Sequence, residues 1–295
     1  MKAQPALTVI AGPTAAGKSA LALEIAEREG AEIVSADSQA VYRYFDVGTA
    51  KPDAGALARV PHHLVSVVDP LEGFSAARFQ CLADAAIRDA TTRGRRVLVV
   101  GGTGLYIRAL LHGLSAGTPN PSVRARLESD AQRLSPGEMH ARLAHVDPES
   151  ARRIAVADTL RVVRALEICE VTGQPASAAQ RAHGFAENRY PYTLWFLDPP
   201  RDALLKAITT RTRGMFAGGL VAEVEALVRR GYRDATAMAS VGYRQALGVV
   251  DGRLSTAQAE ADTERETRAY AKRQRTWFRR EPGARFVTPP YSTVM

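Results

Sequence analysis

Eight residues near the start of the chain carry the clearest chemistry. Gly12-Pro13-Thr14-Ala15-Ala16-Gly17-Lys18-Ser19 has the spacing G-x-x-x-x-G-K-S. Such a loop turns its backbone N–H groups inward to cradle phosphate oxygens; its lysine adds a point charge and its last hydroxyl suits Mg²⁺. The helix that follows adds the partial positive charge of its N-terminus. The loop specifies phosphate or diphosphate binding, not a nucleoside triphosphate. Phosphoryl-transfer enzymes with this loop place a metal-binding acid at the end of a neighbouring apolar strand. Here the apolar run Val97–Val100 ends in Gly101-Gly102-Thr103-Gly104, without a carboxylate. The strand-end acid is instead Asp37, in Ser35-Ala36-Asp37-Ser38. Ligands bind at the carboxyl ends of such strands, which puts Asp37 near the phosphate loop. Three roles suit it: metal partner, general base or helix cap.

A second constellation lies near the C-terminus. Arg265, Arg268, Lys272, Arg275 and Arg279 recur at helical spacing and form one basic stripe. A parallel row, Tyr270, Arg273, Trp277 and Arg280, sets aromatic rings among the cations. Glu266 is the only acid from 265 to 280, which argues against a salt-bridged solvated face. Phosphate contact and base stacking suit such a helix, with a solvated arginine-rich surface as the alternative. Arg211 could reach the phosphate site from the side opposite Lys18, or be a surface charge. His62-His63 reads as an irregular segment and lacks metal-ligand spacing.

These residues need a scaffold. Ala6–Ala11, Ala31–Ala36, Val97–Val100 and Tyr192–Leu197 read as strands; 20–26 and 74–92 read as helices. Alternation of the two implies a parallel sheet covered on both faces. Residues 116–122 form a breaker-rich linker. From Val123 to about Arg181 the pattern is helical, and after Pro200 it is mostly helical to about Arg280. The expected organisation is an α/β core from 1–115 and 192–295, interrupted by a helical insertion at 116–191.

With 295 residues, 46% hydrophobic and 24% charged, the chain is an ordinary globular protein of one or two domains. It has no apolar run of membrane-span length and no signal-peptide pattern, so a soluble intracellular protein is expected. Two cysteines, Cys81 and Cys169, exclude a disulfide framework. Residues 1–150 hold 16 basic and 16 acidic side chains, whereas 151–295 hold 23 and 15. The second half thus carries the whole net charge of +8. That asymmetry suits a polyanionic partner, or an arginine-rich composition alone.

At these residues the chain resembles the bacterial tRNA dimethylallyltransferase (tRNA isopentenyltransferase) family, from Gly12 to about Arg280. The matching blocks are GPTAAGKS at 12–19, SADSQAVYRYFDVGTAKP at 35–52, GGTGLYIRALLHGL at 101–114, DTLRVVRALEICEVTGQP at 158–175, VGYRQ at 241–245 and TRAYAKRQRTWFRR at 267–280. The resemblance implies a P-loop NTPase/kinase-like parallel sheet core with an all-helical insertion domain that helps clamp the tRNA anticodon arm. It implies transfer of a dimethylallyl group from dimethylallyl diphosphate to N6 of the adenosine 3′-adjacent to the anticodon. Asp37 then matches the general base, Arg211 the diphosphate-binding arginine, Thr14 a residue lining the donor site, and Ser19 the hydroxyl near Mg²⁺. Asp37, Ser38, Gln39, Ala40, Thr103 and Arg124 match positions at the target nucleotide or nearby RNA. The matching tRNA-contacting segments are Leu160, Arg161, Val162, Val163 and Arg164; Ala239, Ser240, Val241, Gly242, Tyr243 and Arg244; and Lys272, Arg273, Gln274, Arg275, Thr276, Trp277, Phe278 and Arg279.

Some positions depart from the family pattern. Gln39-Ala40 stands where many relatives have Met-Gln, Leu160 where Gln is common, and Ala207 where Arg is frequent. The zinc-finger extension of eukaryotic relatives is not seen, so a bacterial, cytoplasmic, monomeric enzyme is expected. The readings from other classes are a P-loop kinase of a small metabolite and a non-catalytic RNA-binding protein.

Overall fold

The computed structural model describes residues 5–114, 120–185, 187–291 and 293–294. Among these, one sheet is formed by β1 (Leu7–Ala11), β2 (Glu32–Ala36), β3 (His62–His63), β4 (Val97–Gly101), β5 (Tyr192–Leu197) and β6 (Ala284–Val287), of which β1, β2, β4 and β5 are short apolar runs bounded by turn residues. Their spatial order is β3-β2-β4-β1-β5-β6, and each pairing is parallel. The register sets Val9 of β1 between Val99 of β4 and Leu194 of β5.

The helices, in chain order, begin with α1 (Lys18–Glu29), α2 (Ala54–Arg59), α3 (Ala76–Thr92) and α4 (Gly104–His112). Then come α5 (Pro121–Arg133), α6 (Pro136–Val146), α7 (Pro148–Arg153), α8 (Thr159–Thr172) and α9 (Ala176–His183). The last four are α10 (Arg201–Ala217), α11 (Leu220–Arg229), α12 (Tyr243–Val250) and α13 (Thr256–Phe278).

Strand parity divides the core. Val9, Val99, Leu194 and Phe196 pack on one face of the sheet with Phe79 and Ile87 of α3, Leu110 of α4 and Phe278 of α13. Ile10, Ile33, Leu98 and Val100 pack on the other face with Leu21 and Ile25 of α1. Both faces are therefore buried, which is why β4 reads as a continuous apolar run rather than an alternating one. A separate cluster, with Phe45, Val224, Leu227 and Tyr243, joins the loop after β2 to α11 and α12.

Two strands differ from the sequence-based expectation. His62-His63, read as irregular, pairs with β2 as β3, and His63 Nε2 lies 2.7 Å from the buried carboxylate of Glu32. Residues after Arg280 return to the sheet as β6 beside β5. Two and four residues are too few for a period-two pattern to declare itself.

The chain forms two compact units, Met1–Leu111 with Arg189–Met295, and His112–Asn188. In the first, the chain returns where it left: the Arg189 N–H donates to Leu111 O at 2.7 Å. The second unit is helical throughout its regular elements, around Leu127, Met139, Leu143, Val162, Val163 and Leu166. Helices α5 to α8 start on side-chain acceptors that satisfy open N–H groups: Asn120 for α5, Ser135 for α6, Asp147 for α7 and Asp158 for α8. The linker read at 116–122 lies largely outside the described residues, which omit 115–119.

Candidate active site

The phosphate loop joins β1 to α1 at the carboxyl edge of the sheet. Gly17 caps α1 at φ +85°, a conformation that favours glycine. Ala15 holds φ +64°, which costs a non-glycine residue about 1–2 kcal/mol. Strain of this kind concentrates at functional sites. Lys18 keeps partial solvent access as a residue, but its ammonium lies deep in the cleft and donates to Pro13 O at 2.8 Å. Burial, and then the nearby charge of Arg211, lower its pKa to about 8 against the opposing pull of Asp37. Arg211, on α10, donates to Thr49 O at 3.3 Å, and burial holds its guanidinium below its ordinary range while Asp37 opposes the shift.

Asp37 directly follows β2. Its Oδ1 accepts the N–H groups of Gln39 at 2.8 Å and Ala40 at 3.2 Å. It therefore caps a turn, not a helix. Among the described residues no hydrogen bond is donated to its other oxygen, which is left for chemistry. Thr103 accepts the Ser38 N–H at 3.1 Å, tying this turn to the Gly-Gly-Thr-Gly end of β4. The Tyr270 hydroxyl is pushed up to about 12 by burial and by the charge of Asp37.

These groups share a cavity of about 290 Å³, whose lining includes Thr14, Asp37, Thr49, Arg211, Val241 and Tyr270. A contiguous cleft adds Lys18, Ser19, Gly102 and Gln274, and Thr14, Asp37, Thr49, Arg211 and Tyr270 line both. Phosphate loop, carboxylate and two cations thus face one space. Ser38, Gln39, Ala239 and Ser240 complete its wall.

Other sequence-derived candidates fall elsewhere. Gly242 and Tyr243 are buried, and Arg244 is exposed and paired with Glu266. On α13, Gln274 and Phe278 point inward. Arg275 is held by Asp198 at 2.6 Å and by Pro199 O. Arg265 and Arg268 pair with Asp262 and Glu264. The stripe is therefore partly salt-bridged, because its acids lie just upstream of Arg265 and across the fold. Lys272, Arg273, Arg279 and Arg280 make no ion pair among the described residues and are exposed. With Arg108, whose guanidinium lies 4.4 Å from the Trp277 ring, and Thr276, three of them line a shallow depression.

In the helical unit, Leu160 is 76% exposed and Arg161 pairs with Asp158 at 3.2 Å. Val162 and Val163 are core residues, so any RNA contact by that segment falls to its neighbours. Arg124 and Arg164 both reach the buried carboxylate of Glu167.

Residue typing alone does not single out Thr49 or Lys51, nor the phosphate-side positions of Gln274 and of Tyr270, which the spacing reads only as an aromatic ring among the cations of α13. Lys51, in the GTAKP block, is only 5% exposed at its side chain and binds Tyr42 O, Asp46 and Ser66. It braces the loop that presents Thr49 to Arg211. The blocks containing these residues were visible; the contacts between blocks were not.

The IPP transferase family profile matches residues 40–281, and the isopentenyl transferase profile matches residues 5–65. The chain is 57% identical over 293 residues to a tRNA dimethylallyltransferase of Myxococcus xanthus, covering 99% of this chain and 95% of that one. It is 44% identical over 289 residues to the tRNA dimethylallyltransferase of Geobacter sulfurreducens, covering 96% and 92%. The crystal structure of the full-length tRNA isopentenylpyrophosphate transferase of Bacillus halodurans is similar at a TM-score of 0.71 and 36% identity, over 97% of this chain and 90% of that one. A eukaryotic dimethylallyltransferase crystallised acting on tRNA is similar at a TM-score of 0.79 and 25% identity, over 96% and 74%. Profile matches across most of the chain and relatives of this identity over nearly its whole length place it in the IPP transferase family, the tRNA dimethylallyltransferases.

Proposed function

We propose that the protein transfers a dimethylallyl group from dimethylallyl diphosphate to N6 of the tRNA adenosine 3′-adjacent to the anticodon, position 37 of the tRNA. The products are N6-(dimethylallyl)adenosine and diphosphate. The observation that carries this is the pair of contiguous spaces, both lined by Thr14, Asp37 and Arg211, of which one also takes in Lys18 and Ser19 of the phosphate loop.

The donor's C1–O bond breaks as its C1 bonds to N6. The exocyclic amine is a weak nucleophile because its lone pair is delocalised into the ring. The free oxygen of Asp37 takes the N6 proton as the new bond forms. Lys18, Arg211 and the loop amides stabilise the departing diphosphate in a cleft largely shielded from water. Thr14 and Thr49 line the space between the two groups.

The residues also fit Mg²⁺. Ser19 offers an exposed hydroxyl at the mouth it shares with Lys18 and Arg211. A hard cation that keeps waters and phosphate oxygens needs few protein ligands. Ser19 would hold it, and the ion would add charge compensation to the diphosphate.

The target base must leave its stack, at a cost of a few kcal/mol. Contacts from Ser38, Gln39, Ala40, Thr103, Ala239, Ser240 and Val241 would receive it. Exposed cations on α13 would contact tRNA phosphates, and in the helical unit that role would fall to Arg124, Leu160, Arg161 and Arg164. Among the described residues no helix is long and apolar enough to cross a membrane. The reading places the enzyme in the cytoplasm with its tRNA and takes it to act as a monomer.

The test is incubation of tRNA with the protein, Mg²⁺ and dimethylallyl diphosphate, followed by digestion and mass spectrometry. A gain of one C5H8 unit on adenosine is expected. Unmodified tRNA that nevertheless binds tightly would favour an RNA-binding role instead.

A further inference from the structure

Gln274 of α13 is 6% exposed, and its amide bridges two parts of the donor site. Its Oε1 accepts the Thr14 N–H at 2.9 Å, and its Nε2 donates to Gly102 O at 3.0 Å. The partners set the amide's orientation, since the flipped form would oppose donor to donor and acceptor to acceptor. The Tyr270 hydroxyl, one turn earlier on the same helix, contacts this amide and feels the charge of Asp37. Gly102 makes the bridge possible: a Cβ there would lie 2.2 Å from Nε2. The phosphate loop, strained at Ala15, is tethered from outside by two side chains, Gln274 at Thr14 and Tyr291 at Ala16 O.

We propose that Gln274 is a positioning residue for the diphosphate. Because the Thr14 N–H is committed to Gln274, it is not one of the groups that cradle phosphate. It instead locks the loop to the end of β4. Since Thr103 of the same strand end holds the Asp37 turn through Ser38, the bridge sets the spacing between bound donor and Asp37. The proposal rests on the prenyl-transfer reading above.

The test compares Gln274→Ala, Gly102→Ala and the double variant. Gln274→Ala is expected to raise the KM for dimethylallyl diphosphate about tenfold or more, the scale of two lost buried hydrogen bonds. Its tRNA dissociation constant should stay within about twofold of wild type. Gly102→Ala should reproduce the donor defect by displacing the amide while Gln274 itself remains. Its Cβ also meets Gly12 O at 3.1 Å, which asks for a shift of only a few tenths of an ångström. The double variant should be close to Gln274→Ala, because the 2.2 Å clash with the amide is then gone and only the contact with Gly12 O remains. A normal donor KM in an active Gln274→Ala enzyme overturns the proposal. So does an equal loss of donor and tRNA binding with a lowered melting temperature, which would make Gln274 a packing residue only. Calorimetry with inorganic diphosphate separates the two levels: weaker binding by Gln274→Ala supports the positioning role even if the wild type fails to prenylate tRNA, and unchanged binding overturns it.

Discussion

Tyr243 stands where a side chain on Gly48 would have to go. A Cβ at Gly48 would lie 2.4 Å from Tyr243 Cε2, and the Gly48 N–H donates to the Tyr243 hydroxyl at 3.1 Å. That hydroxyl donates to Glu223, whose other oxygen accepts the N–H groups of Asp46 at 3.2 Å and Val47 at 2.8 Å. Two sequence blocks far apart in the chain are thus one packed unit beneath the cavity wall that contains Thr49.

Removing the Tyr243 hydroxyl leaves the Gly48 N–H without its partner. Tyr243→Phe is expected to cost about 1 kcal/mol of stability, the scale of a lost hydrogen bond between part-buried groups. Gly48→Ala should cost at least as much, because a rigid ring must move. Chemical denaturation measures both. A Gly48→Ala protein as stable as wild type would mean that the loop rearranges freely and does not brace Thr49.

Asp37→Ala is expected to lose about 10²–10⁴-fold in turnover while still binding tRNA, the range for a missing general base. Asp37→Asn keeps the shape, and its side-chain oxygen can still accept the turn's N–H groups. Its loss should match that of Asp37→Ala if proton acceptance is the essential function. Single-turnover kinetics with saturating substrates decide the point, and a near-normal rate in either variant removes Asp37 from the chemistry.

The lowered pKa of Lys18 makes donor binding pH-dependent. In the free protein the ammonium deprotonates near pH 8, and a bound diphosphate favours the charged form. Below about pH 8 the site is already charged, so Lys18 adds no pH dependence. Above it, binding requires proton uptake and weakens by up to about tenfold per pH unit. Titrating inorganic diphosphate affinity from pH 6.5 to 9.5 checks this. In Lys18→Met the break near pH 8 should vanish along with most of the affinity.

On α13, Arg275 and its neighbours should part company. Replacing Arg273 and Arg279 with Gln is expected to reduce tRNA affinity and lower the magnitude of the log K versus log salt slope by roughly 0.7–0.9 per lost contact. Arg275→Gln should act mainly on stability, because its guanidinium is held by Asp198 and Pro199. Filter binding across a salt series, with a thermal melt of each variant, separates the two. Equal salt slopes for wild type and the Arg273/Arg279 double variant would make that face a solvated surface.

Legibility in the sequence followed the range of the interactions. The phosphate loop, β1, β2, β4 and β5 announce themselves because a run of apolar residues and the turn that ends it are contiguous. β3 and β6 carry no such run: one is two histidines and the other includes Arg285. Asp37 was readable as a strand-end acid, but not the turn it caps. The basic stripe is readable in its spacing but not in its solvation, since the partner of Arg275 lies across the fold at Asp198 and those of Arg265 and Arg268 are Asp262 and Glu264, just upstream of the stripe. The role of Gln274 depends on a helix reaching a loop 260 positions away, which no local pattern records.

The hydrogen bond from Arg189 to Leu111 has a consequence for how the helical segment can change over time. The catalytic fold is closed at that point as if the intervening residues were a single long loop. Lengthening a loop adds only about 0.6 kcal/mol of closure entropy per doubling. Residues 112–188 can therefore gain or lose whole helices with little effect on the stability of the fold that carries Asp37 and the phosphate loop. Change within residues 112–188 and preservation of the phosphate loop with Asp37 are, on this topology, separable at two adjacent positions, Leu111 and Arg189.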